Sequence, residues 1–382
     1  MLNSEVNPHR PSQIAPLGGI RGIAIVMILV FHYDWLGGFD AYPFASLLHR
    51  AAAFGQTGVD LFFVLSGFLI TRILIATKGH NHYFANFYLR RALRILPLYY
   101  GFLVLFYFVV PWLQGAGIAP FRSTWWWWFY LQNVPATWTG LAQAGPNHYW
   151  FLAVEAHFYL VWPLLVYLVP PKWFSRLCWG VILAAVVSRY LFIYQLHVSA
   201  FWFTTCRMDA LAAGSLLACC EANGSLPRER RLFFWLMLCL PPLGLLLQWQ
   251  FRGHYVNLKE LLRYSGFAAV YVSAVGLAVL YRESRLVKAS FTNRPLTFGG
   301  KISYGLYVYH LMCFRLVADA LPPKQHPILC LITSFGVLFL VSWLSLVCFE
   351  ARFLALKRFF SYDKPQAIGR GMRETAVSTS VG

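Results

Sequence analysis

Long apolar runs follow one another along almost the whole chain, and short polar segments separate them. About 20 apolar residues in a helix cross a hydrocarbon core about 30 Å thick, and the runs have about that length. The pattern therefore predicts an all-α membrane helix bundle with about ten transmembrane helices and no soluble domain. The predicted spans are 17–36, 57–76, 95–113, 149–170, 178–196, 203–220, 232–250, 264–281, 302–320 and 328–350.

The predicted spans divide the chain into three parts. Residues 17–350 form the transmembrane domain, 1–16 a polar N-terminal segment, and 351–382 a polar tail that we expect to be mobile. The first apolar run is too long and too charged for a signal peptide, and no small-residue cleavage site follows it. We therefore expect it to remain as the first transmembrane helix.

The distribution of Lys and Arg predicts how the helices are oriented. Of the 32 Lys and Arg residues, 22 fall in the termini and in the connections on one side, and six on the other. Cytoplasmic loops are enriched in Lys and Arg, so both termini are predicted to be cytoplasmic. The net charge of +18 is then a consequence of topology. With 59% hydrophobic residues and recurring apolar spans, a soluble nucleic-acid-binding protein is excluded.

The eight cysteines all lie in or beside apolar runs, and none of them forms a C-x-x-C motif. We interpret them as small packing residues and expect no metal site. A run of four tryptophans, Trp125 to Trp128, lies in the longest predicted external connection, 114–148. It is too short to span a membrane. An interfacial aromatic belt, a re-entrant segment and a sugar-stacking surface are all compatible with it.

The first predicted helix carries Arg21 and His32, eleven residues apart. Eleven residues are close to three turns, so both side chains lie on one face, about 16 Å apart along the axis. A cation in a membrane helix normally faces a polar interior, where arginine suits an anion and histidine can exchange a proton. The alternatives are a topological anchor at Arg21 and a hydrogen-bonded packing residue at His32.

Several further polar residues fall within the predicted spans, and we expect most of them in the outer half of the bundle. Polar residues at that depth need partners or water. Pairing of Glu155 with Arg207 is one interpretation, and orientation of His32 by Asp60 or Glu155 is another. Arg207 and Asp209 are two residues apart, so they point to different neighbours. The candidates beside His32 are Asp34, Asp60, Glu155, Arg207, Asp209, Tyr304 and His310.

A second cationic cluster, Arg90, Arg91 and Arg94, precedes the third predicted helix in a predicted cytoplasmic loop. Such arginines are commonly topological anchors. They are also what a polyanionic cofactor needs, because guanidinium groups match phosphate oxygens.

Taken together, six segments in this order resemble acyltransferase family 3, a family of integral membrane O-acyltransferases. Members commonly have Glu-Gln where this chain has Ala156 and His157. We expect the stand-alone form, without an appended extracellular domain. The segments are LGGIRGIAIVMILVFHY, GVDLFFVLSGFLITRIL, FYLRRALRILPLYY, HYWFLAVEAHFYLVWPLL, RMDALAAGSLLA and ISYGLYVYHL, with a weaker match at FEARF.

The resemblance implies transfer of an acyl group, usually acetyl from acetyl-CoA, to a hydroxyl of a glycan or lipid-linked sugar in the bacterial cytoplasmic membrane. It also implies roles for the R-x10-H pair and for the cytoplasmic R-x-x-R motif formed by Arg91 and Arg94. From the residue chemistry and the family resemblance together, we expect acetyl-CoA to bind near Arg91, Arg94 and Arg21, and His32 to act as the general base. A transporter or flippase for a glycan or its lipid carrier remains the rival function. The sequence leaves the acceptor, the acyl group and the oligomeric state open.

Overall fold

The computed structural model describes residues 14–117, 121–139, 145–250 and 256–361. Most of the predicted N-terminal segment and of the predicted mobile tail lies outside these residues. In the described part of the chain the regular elements are helices, and no strand is present. The prediction of an all-α protein is confirmed.

Sixteen α-helices are assigned within the described residues, and short 3₁₀ or π-helical turns extend several of them. The α-helices are α1 Ala15–Trp35, α2 Ala45–Phe54, α3 Gly58–Thr77, α4 Tyr83–Val104, α5 Val110–Leu113, α6 Phe121–Trp128, α7 Asn133–Thr139, α8 Trp150–Leu168, α9 Pro171–Tyr190, α10 Thr204–Ala222, α11 Leu226–Gln250, α12 Val256–Leu280, α13 Arg285–Phe291, α14 Arg294–Ala320, α15 Pro327–Leu344 and α16 Ala351–Ala355.

Long helices occupy all ten predicted span positions, which are those of α1, α3, α4, α8, α9, α10, α11, α12, α14 and α15. Seven helical segments of the described residues are long and apolar enough to cross a membrane. The count of ten crossings and the cytoplasmic position of the termini stay predictions. The seven are Ala15–Trp35, Ala45–Thr77, Tyr83–Leu113, Asn147–Leu168, Pro171–Gln195, Glu260–Leu280 and Pro327–Phe359.

The boundary predicted for the third span is wrong. Helix α4 begins at Tyr83, so the arginines assigned to a loop lie within a helix. The hydrophobic window begins only at residue 95 because the preceding turns carry these arginines. Those turns are nevertheless helical, and Asn86, Phe87 and Tyr83 are buried there. The arginines therefore have fixed directions along a helix face.

Close helix packing at glycine holds the centre of the bundle together. Helix α3 packs against α10, and a Cβ atom added at Gly67 would lie 1.9 Å from the carbonyl oxygen of Leu211. A Cβ atom at Gly214 would lie 2.1 Å from the carbonyl oxygen of Val64. Small residues allow helix backbones to approach closely in membranes. These two glycines bring the polar residues of α3 and α10 within reach of one another.

The tryptophan run folds as the short helix α6 against α4. Trp127 is buried, and its carbonyl oxygen accepts a hydrogen bond from the Tyr99 hydroxyl at 2.7 Å. The neighbouring carbonyl of Trp128 accepts from Tyr100 at 3.0 Å. Of the four tryptophans, Trp127 is therefore buried inside the protein and the other three are half-buried.

Candidate active site

Two cavities lie between the helices, and Tyr307 of α14 lines both of them. The larger, about 360 Å³, is lined by His32, and we call it the histidine cavity. The smaller, about 80 Å³, is lined by Arg21, Arg91 and Arg94, and we call it the arginine cavity. The two candidate residues of α1 thus belong to different cavities, as their separation along the helix requires.

The arginine cavity gathers cations from two helices. Arg21 comes from the first turns of α1, and Arg91 and Arg94 lie three residues apart on one face of α4. Arg21 is close enough to Arg91 and Arg94 for electrostatic interaction. Like charges in a confined space repel one another, so the cluster favours an anionic occupant.

Glu155 of α8 supplies a carboxylate to the arginine cavity. It accepts a hydrogen bond from the Ser66 hydroxyl of α3 and interacts electrostatically with Arg21 and Arg91. The lining groups therefore include three guanidinium groups and one carboxylate. Tyr304 also lines this cavity, and its hydroxyl donates to the carbonyl oxygen of Ile95 at 2.8 Å.

The prediction that Glu155 lies beside His32 or pairs with Arg207 is wrong. The chain before α8 runs into the bundle, because His148 and Tyr149 are buried and the ring of His148 lies 4.8 Å from that of His310. Helix α8 therefore starts inside the bundle, where Trp150 is also buried. A count of residues from the start of a span cannot show such an offset.

Asp60 pairs with Arg207 and is not hydrogen-bonded to His32. The Arg207 Nη2 atom donates to Asp60 Oδ1 at 2.7 Å, and both side chains are buried. The interpretation of Asp60 as the group that orients His32 is therefore wrong. Gly67 and Gly214 allow α3 and α10 to pack closely. Asp60 on α3 therefore lies next to Arg207 on α10 and pairs with it, not with His32 on α1.

Asp209 forms a second buried ion pair, as expected for a residue that points away from Arg207. Its Oδ2 atom accepts from Arg189 Nη1 at 2.8 Å and from the Ser265 hydroxyl at 2.7 Å. The Arg189 side chain is fully buried and also donates to the carbonyl oxygen of Cys206 at 2.7 Å. This network joins α9, α10 and α12.

Three histidines lie together next to the histidine cavity. The ring centres of His32 and His310 are 4.7 Å apart, and those of His310 and His148 are 4.8 Å apart. His32 Nδ1 lies 3.0 Å from the carbonyl oxygen of Ile28. A carbonyl can only accept, so Nδ1 carries the proton and Nε2 keeps its lone pair.

His310 has the same tautomer as His32. Its Nδ1 atom donates to the carbonyl oxygen of Tyr307 at 2.7 Å, and its buried Nε2 atom has no hydrogen-bond partner. The Tyr307 hydroxyl in turn donates to the carbonyl oxygen of His148. Helix α14 thus connects the histidines to the wall between the two cavities.

A family model described as an acyltransferase domain matches residues 15–348. The chain belongs to this acyltransferase family. The match covers every residue that lines the two cavities, and it confirms the resemblance inferred from the sequence motifs.

The curated relatives that match this chain are bacterial proteins of about twice the matched length. The chain spans about half the length of the curated relatives it matches, and no solved structure matches it. Peptidoglycan O-acetyltransferase OatA of Listeria monocytogenes is 26% identical over 357 residues, covering 87% of this chain and 54% of the relative. The putative peptidoglycan O-acetyltransferase YrhL of Bacillus subtilis is 27% identical over 345 residues, covering 78% and 48%. O-acetyltransferase OatA of Staphylococcus aureus is 24% identical over 354 residues, covering 84% and 54%.

Arg90 of this acyltransferase-family chain does not line the arginine cavity. Its Nη1 atom donates to the carbonyl oxygens of Lys357 and Phe360, at 2.8 Å each. The expectation that it binds the cofactor beside Arg91 is therefore wrong. Adjacent residues on a helix point about 100° apart, so the neighbour of a cavity residue faces elsewhere.

Three site residues escaped the sequence analysis, namely His148, Tyr307 and Arg263 of the histidine cavity. His148 and Tyr307 lie in the segments HYWFLAVE and ISYGLYVYHL, which carry the family resemblance, so the motifs themselves held a signal. Arg263 gave none, because it precedes the predicted span 264–281 and is one of the six Lys and Arg residues in the connections on the second side. In the described part of the chain, no group of three or more His, Cys, Asp or Glu side chains could hold a metal ion.

Proposed function

We propose that this chain is a membrane O-acyltransferase of the bacterial cytoplasmic membrane. It moves an acyl group, most simply acetyl, from cytoplasmic acyl-CoA to a hydroxyl of a cell-surface glycan or lipid-linked sugar. One observation carries the proposal. A cationic cavity and a histidine cavity lie along the same helix and share Tyr307 as a wall. The names of the relatives, which are O-acetyltransferases, support acetyl as the group and peptidoglycan as one class of acceptor.

The donor belongs at the arginine cavity. Arg21, Arg91 and Arg94 present guanidinium groups that match the phosphate oxygens of acyl-CoA. A volume of about 80 Å³ takes a group of a few heavy atoms, so most of the donor would extend beyond this cavity. With both termini cytoplasmic, Arg21 lies near the cytoplasmic end of α1, where acyl-CoA is available.

His32 is the proposed general base for the acceptor. Its Nδ1–H group is held by the Ile28 carbonyl, which leaves the Nε2 lone pair for the acceptor hydroxyl. The hydroxyl proton passes to Nε2 while the hydroxyl oxygen bonds to the thioester carbon. The carbon–sulfur bond then breaks, and the CoA thiolate takes the proton back from His32. General-base catalysis of this kind contributes about 10²–10⁴-fold to the rate.

Mass spectrometry of cell-surface glycans tests this function. We would compare cells that carry the wild-type protein, His32→Ala, or no protein, with the exposed His326→Ala as matched control. We expect a mass increment of one acetyl group with wild type and with the control, and its loss in His32→Ala and in the deletion. Acetylation that persists in His32→Ala refutes the role of the base. Unchanged acetylation with altered glycan export would favour the transporter.

A second experiment addresses the donor site. Charge removal in Arg91→Gln/Arg94→Gln is expected to raise the KM for acetyl-CoA about tenfold or more, because each charge-assisted hydrogen bond contributes about 1.5–3 kcal/mol. Arg90→Gln is the matched control, since this neighbour bonds to backbone carbonyls elsewhere. An unchanged KM in the double variant would indicate that Arg91 and Arg94 are topological anchors and do not bind the donor.

A further inference from the structure

We propose that the histidine cavity binds an acceptor that carries an anionic group, a carboxylate or a phosphate, beside its sugar, and that Arg263 binds this group. The inference rests on the proposed function, because it takes the occupant of the cavity to be the acyl acceptor. It adds the chemical class of that acceptor and a residue that selects it.

Arg263 of α12 lines the histidine cavity and has hydrogen-bonding capacity to spare. Its Nη2 atom donates to the Tyr264 hydroxyl at 2.6 Å, and its guanidinium carbon lies 4.6 Å from the centre of that ring. Its Nε atom is buried and has no hydrogen-bond partner. The guanidinium group is therefore held in place at one corner, and the protein does not use all of its hydrogen-bonding capacity.

The charge of Arg263 is not balanced within the cavity. Among the described residues no carboxylate lies within ion-pair distance of it, and the lining of the cavity contains neither Asp nor Glu. The carboxylate of Asp60 on α3 interacts electrostatically with Arg263, but it forms its ion pair with Arg207. Asp209 is likewise paired with Arg189, so one positive charge stays in excess. A partly buried cation with no carboxylate at ion-pair distance interacts more strongly with an anion than a cation in open water does, because the local dielectric constant is low. A neutral sugar leaves that interaction unused.

The rest of the cavity suits the sugar itself. Large aromatic side chains form its walls, and Gln56, Asn147 and Ser199 add hydrogen-bonding groups. Aromatic faces stack on the apolar faces of sugar rings, and a volume of about 360 Å³ is that of a small-molecule site. The aromatic lining residues are Phe31, Trp35, Trp150, Phe201, Trp202 and Tyr307.

Equilibrium binding to the purified full-length protein in lipid nanodiscs tests the proposal. The probes are a fluorescent hexosamine disaccharide with one carboxylate, its neutral methylamide, and the same disaccharide with a phosphate monoester instead. We expect wild type to bind at least one of the anionic probes about 10- to 100-fold more tightly than the amide, as a charge-assisted hydrogen bond implies. The two anionic arms show which anion is recognised.

Variants at Arg263 test whether this residue causes the preference for the anionic probes. Arg263→Gln is expected to bind all three probes within about twofold of one another, whereas Arg263→Lys keeps part of the preference because it keeps the charge. The exposed Arg122→Gln is the matched control and should behave as wild type. Thermal melting verifies that each variant is folded. If Arg263→Gln does not fold, two other measurements test the role of Arg263. They are a reduced preference for the anionic probes in Arg263→Lys and the loss of that preference at high salt.

Two results would overturn the proposal. One is equal affinity of wild type for the neutral probe and both anionic probes, and the other is an unchanged preference in folded Arg263→Gln. Transfer of acetyl from acetyl-CoA to the three saccharides is measured separately with wild-type protein. A complete lack of transfer speaks against the proposed function, while the binding data still decide whether the cavity prefers an anion.

Discussion

Replacing Asp60 by asparagine tests whether this residue stabilises the bundle or takes part in the chemistry. The Asp60 side chain is 5% exposed and that of Arg207 is 1% exposed. Arg207 has no other ion-pair partner in the described part of the chain, and its Nε and Nη1 atoms are buried without hydrogen-bond partners. Asparagine keeps the shape of the aspartate and removes its charge, so Arg207 becomes an uncompensated buried cation.

The expected loss of stability follows from this geometry. Removing one partner of a buried ion pair costs about 3–5 kcal/mol. The asparagine oxygen still accepts the Nη2–H group, and the Tyr264 ring lies 3.9 Å from the Arg207 guanidinium carbon, so the cost should fall near the lower end. A loss of about 3 kcal/mol lowers the ratio of folded to unfolded protein about a hundredfold.

Reversible unfolding in mixed detergent micelles measures this loss, with circular dichroism as the signal. The double variant Asp60→Leu/Arg207→Met removes both charges and should recover most of the stability, because apolar replacement of a buried pair is often neutral. The control is Glu283→Gln, which breaks an exposed pair with Lys288 and should leave unfolding unchanged.

One result would refute the reasoning about Asp60. If Asp60→Asn unfolds like wild type but loses acyl transfer, the carboxylate takes part in the chemistry and its ion pair with Arg207 does not stabilise the bundle. Recovery of transfer in the double variant would support the structural role.

Three further substitutions give expected outcomes. Gly67→Ala should destabilise the bundle by about 2 kcal/mol or more, as at an overpacked core position, because its Cβ would lie 1.9 Å from a backbone oxygen of α10. Gly18→Ala should not, because its Cβ would only touch the Thr297 methyl group at 3.9 Å, and unfolding curves will show the difference. Tyr307→Phe removes the hydrogen bond to the carbonyl of the buried His148, and we expect kcat to fall about tenfold, measured by steady-state transfer. We also expect a loss of stability of about 1–3 kcal/mol, because a buried acceptor loses its donor. Arg90→Gln should loosen the segment after α16, detectable as faster proteolysis of the C-terminal end, while the KM for acetyl-CoA stays the same.

Several parts of the site follow from local spacing and were predicted. The spacing of eleven positions from Arg21 to His32 fixes their separation along one helix, and the structure places them in separate cavities. The spacing of Arg91 and Arg94 likewise puts both on one face, which the structure directs at the arginine cavity. Such relations need only a helix, so they do not depend on where the helix stands in the bundle.

Other assignments failed because they depended on how the helices are placed relative to one another. Glu155 lies beside the arginines because the chain enters the bundle before α8 begins. Asp60 meets Arg207 because glycines let α3 and α10 approach closely. Arg263 lines the histidine cavity although it looked like a charge in a loop. None of these relative helix positions can be read from the hydrophobic periodicity of a single segment.

The sequence by itself determined the all-helical class, the positions of the long helices and the family, because apolar length, period and motif order are local properties of the chain. The tertiary structure alone decided which charges are paired and which face a cavity. Pairing depends on distances of a few ångströms between helices far apart in sequence, such as Asp60 and Arg207. Those distances are set by side-chain volumes at the helix contacts, and no single segment contains both sides of a contact.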